Sequence, residues 1–98
     1  MNLEVDLRTV NEKVKFAAKA GDKPEISVDY FSPVGDGEGY TSLELLLVSF
    51  ASCVGTTLLV VLRTYMHKNI SSLSVNAKGM MREEHPRALS NIRLEMAF

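Results

Sequence analysis

The 98-residue sequence holds one cysteine, no tryptophan and three prolines, and its eleven basic residues nearly balance twelve acidic ones, for a formal net charge of −1. A single cysteine cannot close an intrachain disulfide. Cys53 with His67 and His85 shows no recurring ligand spacing, so a zinc site is not expected and no metal is assigned. The near-neutral charge supplies no global field toward nucleic acid or an anionic membrane surface, and neither is expected as a partner. There is no glycine-rich phosphate loop followed by lysine and no strand-elbow serine, so no nucleotide or other cofactor is implied. The first six residues alternate charged and apolar side chains where an export signal would run basic and then apolar, which places the expected compartment in the cytoplasm.

What is present is an ordinary globular composition, 46% hydrophobic and 23% charged, in a chain long enough for one modest core. A single domain over 1–98 is expected. Apolar residues recur at every second position in Leu3, Val5 and Leu7, again in Val14, Phe16 and Ala18, and again in Ile26, Val28 and Tyr30. That period of two predicts half-buried strands over about 2–8, 13–19 and 25–31. The first two are joined by the short polar stretch Arg8–Glu12, and the second and third by the turn residues Gly21-Asp22-Lys23-Pro24. Residues 32–40 hold three glycines and a proline and predict a surface loop.

From Leu43 to Leu62 the sequence changes character: twenty mostly apolar residues with Glu44 the only charge and no proline predict a helix over about 42–67. Thr41 followed three positions on by Glu44 has the form of a capping box, in which each side chain satisfies an exposed backbone N–H of the helix start. Arg63, His67 and Lys68 crowd the other end, where positive charge suits unpaired carbonyls. Further alternation in Ile70, Leu73, Val75 and Ala77, and in Ile92, Leu94, Met96 and Phe98, predicts strands over about 70–79 and 90–98, joined by the charged stretch Arg82–Arg87. The last strand reaches the final residue without a cap, turn or polar tail, and the domain is expected to be incomplete at its C-terminal end.

Twenty helical residues span about 30 Å, the thickness of a bilayer's hydrocarbon core. Ser49, Ser52, Thr56 and Thr57 in the middle, and amphipathic strands on both sides, argue instead for a soluble core helix and against a membrane span. A helix apolar on every side needs covering on every side, more than five short strands can supply. Small residues Ser49, Ala51, Ser52, Gly55 and Thr56 allow a second helix to approach closely, so a homodimer with paired helices is expected. Two readings of Cys53 stand side by side: an inert, buried core thiol, or a reactive one whose pKa is lowered by a cation from elsewhere in the fold. No basic residue lies within a helical turn of it; Arg8, Arg63 and Arg82 fall near element ends.

The stretch Gly39-Tyr40-Thr41-Ser42-Leu43-Glu44-Leu45-Leu46-Leu47-Val48-Ser49-Phe50-Ala51-Ser52-Cys53 resembles the signature of the OsmC/Ohr family, a glycine-rich loop, a Ser-Pro-x-Glu-Leu-Leu-Leu helix start and small residues leading to a cysteine, although the start Ser42-Leu43-Glu44 lacks the family's proline. The order of Lys68–Val75 and Glu84–Ile92 downstream agrees. The resemblance implies an α+β, OsmC-like fold: N-terminal antiparallel strands, a long central apolar helix and further strands, in an intertwined homodimer. It also implies a thiol-dependent peroxidase of the oxidative stress response, in which Cys53 attacks an organic or hydrogen peroxide, becomes a sulfenic acid and is restored by reducing thiols.

The family's second cysteine comes later than Phe98, so an external thiol reductant is expected as a partner. Family peroxidases hold an activating arginine with a glutamate one position earlier than Glu44, where this chain has Leu43. Glu44 and Arg8, the one arginine of the first hairpin, are the carried-over candidates for those roles. Nine residues at about 100° each put Glu44 and Cys53 on opposite sides of a straight helix. The alternative is a non-catalytic OsmC-like dimer with a structural Cys53, binding a small apolar ligand.

Overall fold

The computed structural model describes residues 2–81 and 89–97. The alternating segments pair as their period requires, giving an antiparallel three-stranded sheet of β1 (Val5–Thr9), β2 (Phe16–Ala20) and β3 (Ile26–Val28), in that order. β1 opens at Val5 because its partner Ala20 is the last residue of β2, after which Gly21 turns the chain at a φ of 59°. Residues 2–4, expected as strand, therefore have no ladder to join. β3 stops at Val28, short of the expected residue 31, because Asp29 and Tyr30 leave the ladder for the loop that follows. The chain returns beside β3 at Tyr40, which pairs with Val28 in parallel: Tyr40 N–H donates to the Ser27 carbonyl (3.1 Å) and Asp29 N–H to the Tyr40 carbonyl (2.9 Å).

This first unit, residues 1–44, also contains the start of the long helix. Residues 45–98 form a second compact unit, with α1 (Ser42–Val60) running into it. A π-helical turn over Val61–Tyr65 continues the helix, with the Met66 N–H reaching back five residues to the Val61 carbonyl (3.0 Å). His67 ends it by taking a left-handed conformation, φ 52°, while Arg63 Nε donates to the Ile70 carbonyl (2.8 Å). The helix therefore closes at Tyr65, two residues before the expected end, and His67 serves as its terminator.

β4 (Ser74–Met81) and β5 (Leu89–Ala97) pair antiparallel from Ser74–Ala97 to Met81–Leu89, with one register shift between Met80 and Met81. Residues 70–73, expected as strand, lie past the last described partner, Ala97. The charged connection and Arg82 lie outside the described residues.

The core is thin. Ala18 is the one buried apolar side chain among the described residues. Ser42–Tyr65 is long and apolar enough to cross a membrane by length and composition, a property shared by the core helices of soluble proteins, and only 6% of its most apolar stretch is buried.

Candidate functional site

The residues around Cys53 owe their placement to the helical period. Gly55 is the buried point of α1, where a Cβ would sit 3.7 Å from both Leu73 and Val75, so this face of the helix rests on the segment entering β4. A groove of about 430 Å³ runs along that face between Val48, Ala51, Ser52, Gly55, Leu59 and β4. Cys53, about 200° around from Gly55, points the other way and is exposed. Residues three, four and seven positions from it share its face. They are Leu46, Ser49, Phe50, Thr57 and Val60, with Thr56 at the border where it also lines the groove, and all are exposed, Phe50 by 44% and Leu46 by 50%. The thiol thus sits among small polar residues at the centre of an uncovered helix face with apolar ends. Within this unit the segment around Leu73 and Val75 lies against the Gly55 face, about 200° around the helix from the thiol.

Glu44 is engaged at the helix start. Its Oε1 accepts from the Thr41 N–H (2.9 Å) and the Thr41 hydroxyl (3.0 Å), while the Glu44 N–H donates to Thr41 Oγ1 (3.1 Å). Thr41 is 5% exposed, so the capping box the sequence predicted holds a shielded helix end. Thr41→Ala is expected to cost about 0.5–2 kcal/mol, read as a lowered thermal midpoint. Arg8 belongs to the first unit with Glu44, Cys53 to the second. The Arg8 guanidinium pairs with Glu25 at 3.3 Å, both side chains being largely exposed, an arrangement that contributes little to stability.

A residue that sequence reasoning passed over is Asp29. It is 3% exposed, and its carboxylate accepts N–H bonds from Tyr30 (2.8 Å), Asp36 (3.2 Å) and Glu38 (3.2 Å), gathering the proline- and glycine-rich loop around one anion. Gly35 is packed so closely that a Cβ would collide with the Tyr30 carbonyl and the Asp29 carboxylate. Gly35→Ala is therefore expected to lose about 1–3 kcal/mol, seen in denaturant midpoints.

Asp29, Asp36 and Glu38 bring their carboxylates within 4.8 Å of one another, and two cations from the first hairpin meet them: Lys13 at 2.6 Å from Asp36 and Lys15 at 3.6 Å from Glu38. Asn11 ties the same hairpin tip, accepting the Lys13 N–H (2.9 Å) and reaching Asp36. The cluster's visible work is to strap the hairpin to the loop.

Burial pushes the Asp29 carboxyl up, but the N–H groups of Tyr30, Glu38 and Asp36 and the charge of Lys15 together bring it below its ordinary 3.8. A lowered native value means that the stabilisation is complete above the unfolded-state pKa and is lost as pH falls through the native one. Unfolding midpoints measured through the range below about pH 4 are expected to drop less steeply in Asp29→Asn than in the wild type, from a lower starting stability.

No family model and no curated protein sequence matches the chain. Among solved structures it is similar to a hypothetical protein from Aquifex aeolicus VF5, with a TM-score of 0.80 and 28% identity over 98% of this chain and 65% of that one. It is also similar to a proposed osmotic stress induced and detoxification response protein from Psychrobacter arcticus 273-4, with a TM-score of 0.76 and 22% identity over 94% of this chain and 66% of that one. The fold is therefore α+β and OsmC-like, the class that the resemblance around Cys53 implied. The chain spans just under two thirds of the length of these two proteins, 65% and 66%.

Proposed function

We propose that the chain is an OsmC-like, thiol-dependent peroxidase of the cytoplasmic oxidative stress response, acting as a homodimer through Cys53. The observation that carries this reading is the exposed thiol at the centre of a helix face whose ends carry the exposed apolar residues Leu46, Phe50 and Val60. A second copy laid on that face would bury Leu46, Phe50 and Val60 and turn Cys53 from a surface residue into one lining an enclosed interface. The same covering explains a helix apolar enough for a membrane in a chain whose other elements are amphipathic strands.

In the reaction the Cys53 thiolate attacks the outer oxygen of a hydroperoxide. An S–O bond forms as the O–O bond breaks, and the departing oxygen takes a proton to leave as an alcohol, or as water from hydrogen peroxide. The resulting sulfenic acid condenses with an external thiol, releasing water and leaving a mixed disulfide that a second thiol reduces. Glu44 and Arg8 are the carried-over candidates for assisting the thiolate, and each would have to exchange a present partner, Thr41 or Glu25. If Arg8 takes that role, Arg8→Gln slows oxidation of Cys53 by about a hundredfold, the lower end of what one charge-stabilising group contributes; an unchanged rate removes Arg8 from the site.

The direct test mixes the protein with cumene hydroperoxide, traps the product with a sulfenic-acid reagent and reads intact mass. A rapid, stoichiometric adduct on Cys53 is expected. A second reading draws on the groove between α1 and β4: a non-catalytic dimer that binds a small apolar ligand there while Cys53 stays inert. It predicts no sulfenic adduct and slow alkylation of Cys53 at neutral pH.

A further inference from the structure

We draw no further inference here: the strongest candidate, the exposed apolar patch of Val5 and Leu7 on β1 with Leu3 just before it, at an edge of the three-stranded sheet with no further partner strand among the described residues, carries nothing because the structure does not show what covers it.

Discussion

Replacing Cys53 by serine is expected to reduce peroxide consumption to the uncatalysed background, a fall of at least about a thousandfold, the scale of loss when an enzyme's nucleophile is deleted. The substitution is nearly isosteric, but a hydroxyl stays protonated at neutral pH and does not attack a peroxide oxygen as a thiolate does. Structural cost should be small, because the position is exposed and neighbouring Ser52 already bonds back to the Ser49 carbonyl (3.1 Å) without interrupting α1. Two measurements separate the readings. Peroxide consumption with a dithiol reductant reports turnover, and alkylation of the native wild type reports thiolate availability. Turnover that survives in Cys53→Ser would end the proposal that this thiol is the reacting group. Absent turnover in the wild type, together with slow alkylation, would favour the ligand-binding reading.

How far the sequence could be read depended on the range of the interactions. The Thr41–Glu44 capping box was legible because its partners are three residues apart and bond as the motif predicts. The strands were legible as alternation, but their ends were not, since these depend on where the partner strand stops: Ala20 limits β1, and Ala97 limits the described pairing of β4. Asp29 escaped notice because its role lies in backbone N–H groups as far away as Glu38, and nothing in its side-chain neighbours marks it. The Arg8–Glu25 pair spans seventeen residues and was equally hidden. At the candidate site, the helical position of Cys53 followed from pattern. Its exposure did not, because that depends on which face of α1 the strands near Leu73 and Val75 occupy.

Phe50→Glu is expected to abolish self-association at micromolar concentration. In the paired-helix arrangement Phe50, one turn before Cys53 and 44% exposed in the single chain, becomes part of the covered face. Each copy then loses about 1.5–3 kcal/mol of aromatic burial. Each also places a carboxylate in the interface, which costs several kcal/mol more when it lacks a partner. Two-fold symmetry applies both losses twice, so a combined cost above about 4 kcal/mol weakens the dimer roughly a thousandfold or more. Sedimentation velocity of the wild type, Phe50→Glu and a control change outside that face, Lys68→Glu, reads the effect, while circular dichroism tracks what becomes of the fold. With Ala18 the one buried apolar side chain among the described residues, loss of the proposed pairing is also expected to lower the thermal midpoint, since the stability of an obligate dimer is inseparable from its association. A Phe50→Glu protein that remains dimeric with unchanged affinity would place the interface elsewhere, and would remove the reason for treating Cys53 as an interfacial thiol.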